Sequence, residues 1–489
     1  MRPRKVGENV YEIAPQLKMV RRNQQIFKYQ MMVPARIYAN EYLLERMGRD
    51  RTFDQLTNVA CLPGVEKQVL ALSDAHQGYG FCIGGVCGTD LTEGAVSPGG
   101  VGYDINCGVR LVRTNLEARE VAAKVPSIVD ELFAKVPSGL GSASRLSMTR
   151  GQFDEVLEGG VQWALESGYG WGDDELHCEE RGRLDEADAS TVSEKAKTRA
   201  LNQLGTLGSG NHFLEVQRVA QVFDERAAKV LGVREGQVTV MIHTGSRALG
   251  HQTCTDYVKL FNSAMRKYKI DVPDRELTCV LGAHEEARQY LRAMACAANF
   301  GFANRQVITH WVREAFQAAL GSTPEDLEIQ LVYDVAHNIL KVEEHDVGGQ
   351  KKKVHVHRKG ATRAFPPGHP AVPLDYREVG QPVLIPGSMG TASYLCVGQP
   401  SAMELSFGST AHGSGRQMSR SKAKHSFRGS QIKDALQKQG IAVKAASMAV
   451  IAEEAPGAYK DIDAVVEVSH VLGIVKKVAK LVPIGVTKG

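Results

Sequence analysis

Four histidines stand in settings that expose a side chain: His212 in LGSGNHFLEV, His243 in VMIHTGSR, His337 in DVAHN and His412 in STAHGSGR. A fifth segment, GGVGYDINCGVRL, adds an acid and a thiol, Asp104 and Cys107, in a turn dense with glycine. Glycine lets the backbone bend so that both side chains can meet one ion. Three imidazoles, a carboxylate and a thiolate are enough for a two-metal site with positions left open for substrate oxygens, and a thiolate can bridge two ions. By donor softness such a site favours zinc, cobalt or iron over manganese. The bland alternative for each histidine is a hydrogen-bonded turn residue at a strand end. If three histidines serve metal, one is left over, and a histidine beside metal can be a nucleophile.

His412 is the candidate for that role. Gly408, Ser409, Thr410, Gly413, Ser414 and Gly415 surround it with small residues that allow close approach of a phosphate, and Arg416 and Arg420 supply planar donors. Neutral imidazole can attack phosphorus to give a phosphoramidate, which divides one difficult transfer into two easier ones. The alternative is a histidine that binds phosphate without forming a bond to it. The loop PGSMGTASYL offers Ser388, Ser393 and main-chain amides to an anion or a base edge, or is simply a tight turn. No GxxxxGK[ST] and no strand-linked GxGxxG is present, so an ordinary P-loop or Rossmann site is not expected.

The elements that must position these residues are interleaved. Apolar runs at residues 69–74, 238–243, 327–337 and 383–386 read as buried strands, while 35–47, 117–125 and 284–300 have helical spacing. His243 and His337 follow strand-like runs directly, where the open α/β sheets of many enzymes hold their ligands. The fold class is therefore mixed α/β.

At 489 residues the length prior allows roughly three domains. With 43% hydrophobic residues and no linker or low-complexity tract, one or two large units are favoured. No apolar run approaches the roughly 20 residues of a membrane span, and no export signal opens the chain. Nine cysteines without a CxxC pair do not make a disulfide framework and fit a reducing, cytoplasmic setting. The net charge of +4 is mild, but residues 401–489 hold 13 Lys and Arg against 7 Asp and Glu. Arg416, Arg420, Lys422, Lys424 and Arg428 crowd behind His412, and a second basic run fills residues 351–359, balanced by acids over 173–188. Solvated surface is the ordinary reading of such runs. Beside phosphate chemistry, Arg420 and the 351–359 run suggest a polyanion track.

DAHQGYG (74–80), GGVGYDINCGVRL (99–111), LGTLGSGNHFLEV (204–216), HTGSRALGHQ (243–252), DVAHN (334–338), PGSMGTASY (386–394), HGSGRQMSR (412–420) and the terminal VPIGVTKG together resemble the RtcB family of RNA ligases, from about residue 60 onward and in the family's order. The resemblance implies a single large RtcB-type domain over residues 1–489, with sheets and flanking helices around a deep metal-lined cleft. Residues 1–60 carry less of the match and are compatible with a peripheral N-terminal lobe.

It further implies a ligase that uses GTP and two manganese ions to join RNA 2′,3′-cyclic phosphate or 3′-phosphate ends to 5′-hydroxyl ends, in tRNA splicing and RNA repair, through a histidine–GMP intermediate on His412. Asp104, Cys107 and His212 match the ligands of one Mn2+, and Cys107, His243 and His337 those of the other. The implied guanylate pocket is Asn211, His212, Glu215, His337, Asn338, Pro386, Gly387, Ser388, Met389, Ser393, His412, Gly413, Ser414, Gly415, Tyr459 and Lys488, with Glu215 and Lys488 reading guanine. Lys488, so near the C-terminus, can act only if that end folds back into the site. Ala248, Cys82 and Ser414 depart from the family pattern without removing a ligand or nucleophile. RNA is the implied partner, an archease activator is compatible, and no membrane is involved. A family relative that caps 3′-phosphates with GMP and a non-catalytic RNA-end binder are the rival readings.

Overall fold

The computed structural model describes residues 2–489, and two sheets meet in it at a single residue. Strand Gln330–Ala336 forms one edge of an eight-stranded sheet; after His337 the chain continues as Asn338–Val347, the edge of a seven-stranded sheet. Around these sheets pack helices of 4 to 36 residues, which gives the mixed α/β architecture expected.

In the seven-stranded sheet the order is Arg4–Gly7, Val10–Ile13, Ala35–Tyr38, Val65–His76, Ile83–Asp90, Gln350–Lys359, Asn338–Val347. Only the pair Ala35–Tyr38 and Val65–His76 is parallel. The N-terminal strands thus extend the sheet that carries the DAHQGYG segment, and Tyr11, Ile13, Ile37 and Leu43 share a core with Val69, Leu70 and Ile462. The eight-stranded sheet runs Gln330–Ala336, Gly108–Glu117, Gln237–Thr244, Phe213–Val222, Val475–Lys488, Ser393–Gly398, Pro382–Ile385, antiparallel throughout, with Ala442–Ala445 parallel beside Val475–Lys488. The parallel-sheet rule for ligand sites therefore does not apply in its usual form. Antiparallel neighbours bring the start of one strand to the end of the next, so both kinds of terminus share a rim.

Beneath the eight-stranded sheet lies the helix Glu285–Leu320, about 54 Å long by helical rise and buried over most of its central turns. Small residues, Ala293, Ala295, Ala297, Ala298, Gly301 and Ala303, let it press close. A Cβ on Gly301 would stand only 3.1 Å from Asn106, in the DINC turn. Several of its buried polar side chains reach into the loops of the site. Asn304 accepts from the amides of Gly205 and Thr206 and donates to the carbonyls of Thr206 and Gly245, which fixes the loop before His212 and the loop after His243.

Three expectations change. Residues 35–47 do not form one helix. Pro34 favours an extended entry, Ala35–Tyr38 pairs as a strand, and the helix Glu41–Met47 starts only after Asn40 caps it by accepting from Leu43 N. The basic run at 351–359 is not one solvated face: Lys351 and Lys353 are exposed, but its second half turns inward. It lies between Ile83–Asp90 and Asn338–Val347, which buries His355, His357, Arg358 and Lys359, while Lys352 is held by Glu66 and Asp90. Nor are the acids of 173–188 all solvated: Asp174 pairs with Arg313, and Glu179 and Glu180 with Lys341. Such inward charges survive because each finds a partner.

The most deeply placed of these pairings joins Asp334 to two fully buried guanidiniums, Arg110 at 2.7 Å and Arg305 at 2.8 Å. Truncating the shared acid leaves both cations unpaired. Asp334→Ala is expected to cost about 3–5 kcal/mol of stability. A clear fall in the urea midpoint and thermal transition, compared with a surface control such as Asp375→Ala, checks it.

Candidate metal and phosphate-transfer centre

Five neighbouring strands deliver one functional side chain each to the same rim. In sheet order these are His337 after Gln330–Ala336, Cys107 before Gly108–Glu117, His243 near the end of Gln237–Thr244, His212 before Phe213–Val222, and Lys488 at the end of Val475–Lys488. Pairing fixes the level: Val109 opposes His243, Gly108 opposes Ala336, and Phe213 opposes both His243 and Lys488. The C-terminal segment is therefore a ladder strand, and Lys488 is buried.

Their reactive atoms form a continuous file. His337 Nε2 lies 3.3 Å from His243 Nε2, which lies 3.3 Å from Cys107 Sγ. Cys107 Sγ is 3.6 Å from His212 Nε2, and that nitrogen is 2.9 Å from Asp104 Oδ2. Two groups of three emerge, Cys107 with His243 and His337, and Asp104 with Cys107 and His212; within each, the ligand atoms all lie within 4.8 Å of one another. Cys107 belongs to both. His212 Nδ1 donates to the Leu207 carbonyl at 3.1 Å, which leaves Nε2 as the lone-pair nitrogen facing the group. Asp104 Oδ1 is buried with no hydrogen-bond partner.

Electrostatics point the same way. Burial, reinforced by the Asp104 charge, pushes the Cys107 thiol far above its ordinary range. Burial also drives His243 and His337 well below theirs, with neighbouring cationic groups adding to the effect. Neutral imidazoles and a thiol that can ionise only against positive charge are the donor chemistry of a metal centre. The residues fit divalent metal in two groups that have Cys107 in common.

His412 stands next to this file, its ring 5.0 Å from that of His337. It follows strand Ser409–Ala411, which pairs with Ala361–Arg363, and the amide of Ala361 donates to the His337 carbonyl. Its backbone amide donates to Asp74 Oδ2 at 2.9 Å, and its ring Nδ1 makes a short hydrogen bond to the same oxygen. Burial would raise the fully enclosed Asp74 carboxyl, but His412 and Lys460 hold it below the usual carboxylate range. A carboxylate that accepts the Nδ1–H hydrogen bond keeps the proton on Nδ1 and leaves Nε2 as the lone-pair nitrogen. Gly415, at φ 67°, passes so close to Asp74 that a Cβ there would meet its carbonyl at 2.1 Å.

Asp104, Cys107, His243, His337 and His412 open on one cavity of about 400 Å³. Of the guanylate candidates, Asn211, His337, Asn338, Pro386, Gly387, Ser388, Met389, His412, Gly413, Ser414, Gly415, Tyr459 and Lys488 line it. His212, Glu215 and Ser393 lie behind that lining. Ser393 Oγ accepts from the Gly387 amide at 3.1 Å, and Gln217 bridges Ser393 to Glu215. Burial pushes the Glu215 carboxyl up to about 7, against the lowering pull of Gln217 and Lys488.

Two acids escaped the sequence reading. Asp74 ends the apolar run VLALSD, and an acid there is the one available signal. Glu454 carries none, yet it lines the cavity, accepts from Arg416 at 3.1 Å and from Tyr459, and faces Lys488 at 3.9 Å. Arg416, expected as a free phosphate donor, is thereby tied to Glu454, Tyr459 and the carbonyls of Met418 and Glu453. Arg420, paired to Glu453 at 3.2 Å, keeps an exposed side chain at the mouth.

A family model described as "tRNA-splicing ligase RtcB" matches residues 55–489. A tRNA-splicing ligase RtcB of Thermococcus kodakarensis is 57% identical over 463 residues, covering 95% of this chain and 96% of its own. That of Methanococcus maripaludis is 55% identical over the same shares, and that of Pyrobaculum aerophilum 52% identical over 99% of both chains.

Because Cys107 is common to both groups, Cys107→Ala is expected to remove divalent metal from both positions. Elemental analysis of protein reconstituted with Mn2+ reads this directly, and two equivalents retained by the variant would exclude a shared thiolate.

Proposed function

The chain belongs to the RtcB family, and from that premise we propose that it is an RNA ligase of tRNA splicing and RNA repair. It joins 2′,3′-cyclic phosphate or 3′-phosphate ends to 5′-hydroxyl ends, with GTP consumed and two manganese ions held by Asp104, Cys107, His212, His243 and His337. Residues 1–489 act as one ligase domain in the cytoplasm, with RNA as substrate and an archease-type activator compatible with the site. The observation that carries this reading is the Asp74–His412 pair, set within the same cleft as the two ligand groups.

His412 Nε2 attacks the α-phosphorus of GTP; the P–N bond forms as the bond to pyrophosphate breaks. Asp74 keeps the proton of Nδ1 in its hydrogen bond and balances the charge that grows on the ring. An oxygen of the RNA 3′-phosphate, freed by water from the cyclic form where needed, then attacks the same phosphorus and the P–N bond breaks. The 5′-hydroxyl gives its proton to water as its oxygen attacks the activated 3′-phosphorus, and GMP leaves as the bond from that phosphorus to the bridging oxygen breaks. This order suits phosphate chemistry, since a phosphate monoester needs a good leaving group before a sugar hydroxyl can displace it. Divalent ions, when bound, supply positive charge opposite the phosphate oxygens. Asn211, Asn338, Ser388, Gly413 and Ser414 position the nucleotide, with Tyr459 and Lys488 at its base. Glu215, behind the lining, reads the guanine donors with Lys488, and Ser393 braces the loop Pro386, Gly387, Ser388, Met389.

Incubation with GTP labelled at the α-phosphate and Mn2+ is expected to leave an acid-labile, alkali-stable label on the protein. His412→Ala should carry none, and end joining that survives in that variant would remove His412 as the nucleophile; no label on the parent protein would leave RNA-end binding or another metal reaction. Asp74→Asn, which loses control of the tautomer, is expected to slow labelling by about 10²–10⁴-fold. Consumption of a 5′-hydroxyl strand into a longer product separates ligation from capping.

Arg420→Ala is expected to raise the RNA KM and to lower the slope of log affinity against log salt by about one, the loss of a single phosphate contact. An unchanged slope removes Arg420 from the track.

A further inference from the structure

One wall of the cleft remains without a task. Tyr79, from the loop after strand Val65–His76, Tyr103, beside Asp104, and His251, on helix Arg247–Tyr268, all line the cavity. Their rings form one group: Tyr79 meets Tyr103 edge-on with centroids 5.5 Å apart, and Tyr103 stacks on His251 at 5.8 Å and 27°. Core aromatics of this protein, such as Phe81 and Tyr290, are sealed, but Tyr79 and Tyr103 are half-buried and His251 is exposed. Charges of both signs adjoin them: Lys359 is buried against Tyr79, donating to its carbonyl, Arg247 stands near His251, and Glu276 accepts from the Gly80 amide at 2.9 Å.

Position narrows the occupant. His412 lies against His337, and the loop Pro386, Gly387, Ser388, Met389, with Tyr459 and Lys488, serves the guanylate in the proposed reaction. The aromatic group stands beside Asp104, which ends the ligand file at His212 and borders the nucleotide lining only through its carbonyl, which accepts from Asn338 Nδ2 at 3.0 Å. An RNA end brought to that file must leave the base stack of its own strand, and unstacked bases are received by aromatic faces.

We infer that Tyr79, Tyr103 and His251 form a stacking subsite for the terminal nucleobase of an RNA end, with Tyr103 as the central ring. The assignment rests on the ligase reading and deepens it: the bound chemistry is a planar base without a demand for its identity, since every base has a π-face. The base can come from the 3′-phosphate strand or from the 5′-hydroxyl strand, and the test distinguishes them.

The assay uses the full-length protein with Mn2+, and strands that end either in a normal nucleotide or in an abasic ribose. Tyr103→Leu is expected to raise the RNA KM about tenfold on normal strands, the scale of one base–aromatic stack. Tyr103→Phe should stay within about twofold of the parent. When the strand that uses the subsite is abasic, the parent and Tyr103→Leu should converge, and the strand for which they converge is the source. Quenching of a terminal 2-aminopurine on binding, lost in Tyr103→Leu, reads the same contact without turnover.

An equal loss on every abasic substrate, or no loss on any, overturns the subsite. Tyr79→Leu and His251→Ala are measured alongside, and histidine–GMP formation from GTP alone is followed in each. If Tyr103→Leu and Tyr79→Leu both lose that step together with RNA binding, the rings hold Asp104 in place and the assignment falls. Failure of the parent protein to form histidine–GMP counts against the ligase reading instead, while the quenching result still decides the subsite.

Discussion

A guanidinium sealed inside a protein must satisfy every donor, and Arg305 does so by gripping the parts that build the centre. From the long helix its Nε and Nη2 reach Asp334, three residues before His337. Its Nη1 donates to the carbonyl of Asn106, next to Cys107, and to that of Thr244, next to His243, each at 2.9 Å. Nη2 also donates to Asn106 Oδ1. Three of the five rim residues are thus set by the hydrogen-bond geometry of one planar group, whose fork leaves little angular freedom. Gly108 completes the arrangement, because a Cβ there would meet the Arg305 guanidinium at 2.9 Å and the Val335 carbonyl at 2.3 Å.

Two histidine orientations are controlled by different means. His212 is fixed through the Leu207 carbonyl, a neutral acceptor suited to a ring that presents its other nitrogen to a cation. His412 is fixed through Asp74, a full charge suited to a ring that becomes positive during reaction. The same side chain is prepared for two kinds of work by what stands behind Nδ1.

Much of this was legible in the chain, and the reasons differ by residue. The meeting of Asp104, Cys107, His212, His243 and His337 could be anticipated because each adjoins a β-branched run or a glycine-rich turn, and strand ends are where side chains escape a sheet. The buried strands near 238–243 and 383–386 were visible for the same reason. Asp74 was not, since its role exists only when Val65–His76 meets Ser409–Ala411, a contact 338 residues apart in sequence. Composition did not show that the basic run at 351–359 divides, because it does not reveal how many neighbours a strand has; enclosed between two others, the second half buries Arg358 and Lys359, while Lys351 and Lys353 stay exposed. Lys488 sits where fraying is the default, and only its pairing with Phe213 shows why it stays.

The single-residue passage from one sheet to the other has a mechanical meaning. His337 contributes its backbone to the turn between Gln330–Ala336 and Asn338–Val347: its amide donates to the Cys107 carbonyl, while its own carbonyl accepts from Ala361. A rotation of one sheet against the other cannot be absorbed by slack loop, for none exists there, and must appear as a tilt of this imidazole. An ion gripped by His337 and Cys107 would act as a rivet through both layers, so filling the centre would stiffen the whole body. Strain introduced far out on either sheet would in turn be felt as a change of affinity at the rim.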